Sequence, residues 1–363
     1  MLRKMMSPTF TSGKLKQMMM PIDKIADDVI DQIGEKIKEN PVVDFKPIIG
    51  GFTLDTVGRV AFGLQTNCHR GEDKEFSETA MGVFQALEIK SWGMVMFFQV
   101  FAQFPEIIEK IGLWPPAAGK LRTLTHDLIE ERNKKNTPDS GDFVDRLREF
   151  KKAANPQIPD LMIDAQGMVF LTAGYETTAN TIGSMIHIAA TMPEIQEKIV
   201  QEINDEIGSD EITHDSISKL HYLEACIMET LRIYTPVTEH DRTCTKDTVV
   251  NGIKVLKGTL LKFAIYAAHH DPEFFPEPEQ FKPERFFKEN ADDLIPFTFR
   301  PFGSGNRVCI GQRFAILEIK IFMAKLLAKY KISATPQTSH ICGPGVFAMT
   351  IYPQVIAKAE VRN

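Results

Sequence analysis

The chain has 363 residues, 43% of them hydrophobic, and a formal net charge of −6. That is ample material for a large core, and the acidic balance argues against a nucleic-acid binder, which normally presents a basic face. Five cysteines (Cys68, Cys226, Cys244, Cys309 and Cys342), odd in number and without metal-finger spacing, suit a reducing compartment better than a disulfide framework.

The basic start, MLRKMMSPTFTSGKLK, is not followed by the apolar core of a signal peptide. The longest apolar candidate elsewhere, GMVMFFQVFAQF at 93–104, is too short to span a bilayer. It reads either as a core segment or as a surface that dips into a membrane. Amphipathic helices are predicted over PIDKIADDVIDQIGEKIKEN, VDFKPIIGGFTLDTVGRVAFGL and DKEFSETAMGVFQALEI, where apolar residues recur every three or four positions. Gly112-Leu113-Trp114-Pro115-Pro116 stops the next helix, AAGKLRTLTHDLIEERNKKN resumes one, and NTPDSGDF reads as a surface turn.

LMIDAQGMVFLTAGYETTANTIGSMIHIAATMP is apolar nearly all round, which predicts a central, buried helix ending before Pro193. Gly174, Glu176, Thr177 and Thr178 sit in its middle. A mid-helix glycine costs up to about 1 kcal/mol relative to alanine. A buried Glu must be paired, protonated or open to a wet cavity, and a threonine hydroxyl bonding back to a carbonyl can open the helical ladder. Together these predict a locally distorted helix beside a polar cavity. The plainer alternative has both threonines satisfied by carbonyls and Glu176 reaching solvent.

Glu229 and Arg232 share a face of the predicted helix LEACIMETLRIY. The same Glu-x-x-Arg spacing recurs at Glu239 and Arg242, after Pro236 in an extended stretch, so the spacing alone says little. An exposed pair of this kind is worth under about 1 kcal/mol. TVVNGIKVLKGTLLKF predicts a hairpin turning at Asn251-Gly252, with another turn at Lys257-Gly258. His269 and His270 read as surface or packing residues within the turn-rich AHHDPEFFPEPEQFKPERF. The final SHICGPGVFAMTIYPQVIAKAEV reads as a strand pair.

The stretch that organises the rest is PFGSGNRVCIGQRFA, residues 301–315. Gly303, Gly305 and Gly311 permit tight turns and close approach to a flat partner. A long helix is predicted from Gly311 onward. Cys309 therefore lies at a helix N-terminus, where free amides and the dipole favour a thiolate, a ligand for a soft metal centre, haem iron included.

Phe302, Gly305, Arg307, Cys309 and Gly311 fill all five specified positions of Phe-x-x-Gly-x-Arg-x-Cys-x-Gly. The loop thus resembles the haem-binding signature of cytochromes P-450, and the chain is similar to their microsomal drug- and steroid-oxidising clan. AGYETT is similar to the family's Ala/Gly-Gly-x-Asp/Glu-Thr-Thr, and Pro283-Glu284-Arg285-Phe286 to its Pro-Glu-Arg-Phe. The resemblance implies one mainly α domain over residues 1–363 with small β-sheets, lacking the family's N-terminal anchor, first strands and first helices. SPTFTSGKLKQMM then corresponds to the end of an early family helix.

The resemblance further implies haem b with Cys309 as axial ligand and metal-binding residue, held through Phe302, Gly305 and Gly311. Arg242, Arg307 and Arg3 would take its propionates. Ala173 would leave room for oxygen, while Thr177 and Glu176 would serve proton delivery. Glu229, Arg232 and Arg285 would form a buried network bracing the cysteine loop. Residues from about Phe84 to Trp114 would roof the substrate pocket, with Phe347 reaching the substrate.

The implied activity is insertion of one atom of O2 into a hydrophobic small molecule, with electrons from NADPH through NADPH-cytochrome P-450 reductase. The implied location is the cytosolic face of the endoplasmic reticulum, with membrane contact through 93–104. Arg300, Arg313, Lys320 and Lys325 read either as a basic landing surface for the reductase or as a solvated face. Two alternatives stand beside the monooxygenase: a haem-thiolate isomerase, which Thr177 disfavours, and a truncated, inactive fragment. Steroid, fatty-acid and xenobiotic substrates all remain open.

Overall fold

A computed structural model describes residues 2–87, 116–135, 141–152, 159–208, 210–338, 352 and 354–362. The 93–104 run, the stop ahead of Pro116, most of the expected pocket roof, Cys342 and Phe347 with its glycine turn lie outside the described residues. Described helices are α1 (Leu2–Met6), α2 (Ser12–Glu39), α3 (Lys46–Phe62), α4 (Lys74–Leu87), α5 (Pro116–Lys134), α6 (Phe143–Lys152), α7 (Asp160–Thr191), α8 (Pro193–Glu206), α9 (His214–Ser218), α10 (His221–Ile233), α11 (Ile265–His269) and α12 (Gln312–Lys329). Three small antiparallel sheets complete the described fold. In the first, β1 (Val42–Asp44) and β6 (Tyr330–Ser333) flank β7 (Ile356–Val361). In the second, β2 (Glu239–Thr243) pairs with β5 (Leu260–Ala264). In the third, β3 (Thr248–Val250) and β4 (Ile253–Val255) form a hairpin whose turn residues, Asn251 and Gly252, take φ of 46° and 80°. A mainly helical fold with small sheets is what the sequence predicts.

The first long helix departs from expectation. Ser7–Phe10 form a 3₁₀ turn, and α2 then runs from Ser12 straight through Pro21, joining two segments read separately in the sequence. An interior proline costs about 3 kcal/mol. Leu15, Met18, Ile22, Ile25, Val29 and Ile33 are nonetheless one continuous buried stripe across it. Each such side chain contributes roughly 1.5–3 kcal/mol, so the stripe outweighs the missing hydrogen bond. Helix α3 also starts later than predicted, because Val42–Asp44 are recruited as a strand by β7.

Helix α7 is central, as its apolar circumference predicts: eighteen of its residues are buried. The expected distortion is not seen, since the helix is continuous through Ala173–Thr178. Gly174 serves packing instead. A Cβ there would lie 2.9 Å from Cγ2 of Val57, so the glycine sets how closely α3 and α7 cross.

The brace expected under the cysteine loop is assembled. Arg232, fully buried, donates from Nε and Nη2 to the two carboxylate oxygens of Glu229 at 2.7 and 2.8 Å. Arg285 lies 3.5 Å from Glu229 Oε1, which also accepts the Lys282 amide at 2.9 Å. Arg232 Nη1 donates to the His269 carbonyl at 2.8 Å. His269 is not a surface residue: it has no exposed area, and its Nε2 accepts the Arg300 amide at 3.0 Å. The chain of contacts therefore runs from α10 through α11 to the irregular entry of the cysteine loop.

Burial holds the His269 imidazole down to about 3, so it is neutral in the folded protein. In the unfolded chain the ordinary value is near 6.5. Between those values the unfolded state binds the extra proton, so stability is complete above pH 6.5 and falls as pH drops toward 3. Urea denaturation is expected to show this group contributing about 1.4 kcal/mol per pH unit in that window. In His269→Gln that contribution disappears. A second expectation concerns the helix crossing. Gly174→Ala gains helix propensity of at most about 1 kcal/mol but overpacks against Val57 at a cost of about 1–3 kcal/mol. Net destabilisation in chemical denaturation, relieved when Val57→Ala is added, is the expected result.

Candidate functional site

A cavity of about 470 Å³ brings the two sequence motifs together. From α7 it is lined by Ala173, Gly174, Thr177, Thr178 and Thr181, and from the cysteine loop by Phe302, Gly303, Arg307, Cys309, Ile310 and Gly311. Apolar side chains of the N-terminal turn and α3, among them Phe10, Val57, Val60 and Ala61, close the rest.

Local backbone chemistry shapes the loop. Gly303 and Gly305 take φ of 73° and 65°, a region that disfavours a Cβ. The Cys309 amide donates to the Phe302 carbonyl at 2.8 Å, closing the loop on itself. Gly305 turns the backbone and does not line the cavity, whereas Gly311 lines it beside the sulfur, where a Cβ would come 4.0 Å from Sγ. The thiol itself corrects the sequence expectation. Burial raises Cys309 above the ordinary thiol value, and the Gly311 and Gln312 amides and the charge of Arg3 only partly offset this. Cys309 is open to the cavity while packed closely by the loop around it. A thiolate at this place is therefore best stabilised by a cation in the cavity, such as a metal.

On α7 the hydroxyl of Thr177 donates to the Ala173 carbonyl at 2.7 Å, and that of Thr181 to the Thr177 carbonyl at 3.0 Å. Glu176 is not part of the cavity wall. One residue along a helix is a turn of about 100°, and Glu176 shares its stripe with Asn180 instead. Its Oε1 lies 2.5 Å from Lys46 Nζ, which reaches Asn180 Oδ1 at 3.1 Å. Sequence reasoning missed Lys46, because nothing local links a lysine at the start of α3 to a carboxylate 130 residues away.

The cationic residues divide. Arg242 and Arg307 line the cavity, as does Arg300, which the sequence reading left as part of either a landing surface or a solvated face. Arg3 is near enough to act on the Cys309 thiol but is not in the cavity wall. The expected landing surface is not assembled. Lys320 is 4% exposed and bound to Glu224 at 2.6 Å, Lys325 pairs with Asp23 and Asp27, and Arg313 donates to Ser12 Oγ. Helix α12 is buried along most of its length, so its lysines are taken up by neighbouring helices.

The residues present fit the expected cofactor. A soft sulfur donor, glycines that let the backbone lie close to a flat ring, apolar walls and guanidinium groups suit a planar, apolar metal complex bearing two carboxylates. No helix among the described residues is long and apolar enough to cross a membrane.

Comparison with known proteins agrees with this geometry. The family model described as Cytochrome P450 matches residues 1–353. Cytochrome P450 3A6 of Oryctolagus cuniculus is 31% identical over 345 residues, covering 93% of this chain and 68% of the relative. Cytochrome P450 3A11 of Mus musculus and Cytochrome P450 3A7 of Homo sapiens are each 30% identical, with the same coverage.

Proposed function

The chain belongs to the cytochrome P450 family, and we propose that Cys309 would hold the iron of its haem through the sulfur and that Thr177 serves the oxygen chemistry in the same cavity. As a family member it is a haem-thiolate monooxygenase that uses haem b, a redox partner, O2 and a small-molecule substrate. The observation that carries the residue assignment is that Cys309 and the Ala173–Thr177 face of α7 line one otherwise apolar cavity. Haem, when bound, supplies the iron centre at which dioxygen is reduced and split.

The chain's own residues have separable tasks. Cys309 would hold the iron through its sulfur, and the Gly311 and Gln312 amides favour the thiolate there. Arg242 and Arg307 hold carboxylates of the cofactor by charge-assisted hydrogen bonds, with Arg3 adding positive charge near the sulfur. Ala173 would leave room for oxygen in the cavity because its side chain is a single methyl. The Thr177 hydroxyl donates to the Ala173 carbonyl, so its oxygen would accept a hydrogen bond from a water in the cavity. Glu176 is the proton source behind it. Rotation away from Lys46 brings that carboxylate to the Thr177 side, and Lys46, only 16% exposed, joins it to solvent.

The electron donor in this reading is NADPH-cytochrome P-450 reductase, and the substrate is hydrophobic, in keeping with the apolar walls. The site of action is the cytosolic face of the endoplasmic reticulum membrane. The cavity hydroxyl of Thr177 favours oxygen activation over isomerisation.

The test is turnover of the haem-loaded chain with reductase, NADPH and ¹⁸O₂. The expected outcome is one labelled atom in product and the other in water, with Cys309→Ala giving none. Product formed without label makes the chain an isomerase.

A further inference from the structure

Arg300 is a half-buried cation that makes no ion pair among the described residues. It lines the cavity, its Nε is buried with no hydrogen-bond partner among the described residues, and its guanidinium carbon lies 5.7 Å from the Phe263 ring centre. On the neighbouring strand β2, His240 and Arg242 are two residues apart and so share a face, and both line the cavity. The His240 ring stacks on Phe263 with centroids 5.0 Å apart, which gathers Arg300, His240 and Arg242 at one end of the space. Burial, then Arg242 and Arg300, hold the His240 imidazole below its ordinary value, a sign of concentrated positive potential.

Asp241 acts on His240 in the opposite sense but does not line the cavity. Arg242 Nη1 donates to the Asp241 carbonyl, which carries no net charge. The Asp241 side chain alternates to the other face of the strand, and Glu239 is taken by Lys262. A buried guanidinium N–H left without an acceptor is costly, so an anion belongs here.

The loop decides which anion. The Arg300 carbonyl accepts the Gly303 amide at 3.0 Å, and the next turn of the loop is closed by the Cys309 amide on Phe302. The Arg300 amide is fixed by His269 Nε2. Arg300 is therefore placed relative to the sulfur, as is any ligand the sulfur holds. A mobile substrate has no such fixed relation to it. We propose that Arg300, beside Arg242, receives a carboxylate of the bound haem, as a third cavity-lining arginine in addition to Arg242 and Arg307. The inference rests on Cys309 being the haem ligand.

The test compares haem release from the wild-type chain and from Arg300→Met, read as Soret transfer to excess apomyoglobin. Methionine keeps an aliphatic stem over Phe263. The variant is expected to release haem about tenfold faster, the scale of one charge-assisted hydrogen bond, with Arg300→Lys in between. Loaded with haem dimethyl ester, which lacks the carboxylates, wild type and variant are expected to release at the same rate. Equal release of ordinary haem overturns the proposal, and so does a gap that persists with the ester, which makes Arg300 merely structural. Unchanged haem release with weakened binding of a fatty-acid anion overturns it in favour of a substrate contact. A wild-type chain that takes up no haem sinks the Cys309 reading itself, and this proposal with it.

Discussion

One buried guanidinium sets the geometry on which everything else depends. Arg232 has no exposed surface, and its hydrogen bonds run to Glu229 on its own helix and to carbonyls of the downstream turns, His269 and Pro278 among them. A charge so placed is tolerated only while every donor is satisfied. That demand fixes a long irregular segment, with little regular structure of its own, against a rigid helix. His269 passes the constraint on: its carbonyl faces Arg232 and its ring faces the Arg300 amide. The cysteine loop is thereby positioned by an ion pair that never touches the cavity.

The opposite contribution comes from α7, a helix with two polar stripes and two environments. Ala173, Thr177 and Thr181 face the cavity, with threonine hydroxyls already bonded to carbonyls one turn back. Glu176 and Asn180 face Lys46 on α3. Gly174, itself in the cavity wall, lets α3 approach closely at Val57. The carboxylate and the cavity hydroxyls are thus held on separate faces of one element.

Much of this was legible in the sequence because local rules and the motif agreed. The cysteine loop declares itself through glycines that require positive φ, the β3–β4 hairpin through Asn251-Gly252, and α7 through its apolar circumference. What misled was always non-local. Pro21 should end a helix, yet a buried stripe on both sides carries α2 through it. Lys320 and Lys325 look like surface charge until α10 and α2 supply their carboxylates. For Glu176 the sequence left pairing, protonation or a wet cavity open, and the distant Lys46 decides for pairing. Of the two readings of His269, surface or packing, burial selects packing, while the Arg300 amide its ring accepts left no local sign.

Iron K-edge X-ray absorption on the haem-loaded full chain tests the central claim most directly. The account predicts a first shell of nitrogens plus a single sulfur, and loss of that sulfur in Cys309→Ala. A first shell of nitrogen and oxygen alone in the unsubstituted protein, or a sulfur that survives the substitution, contradicts it.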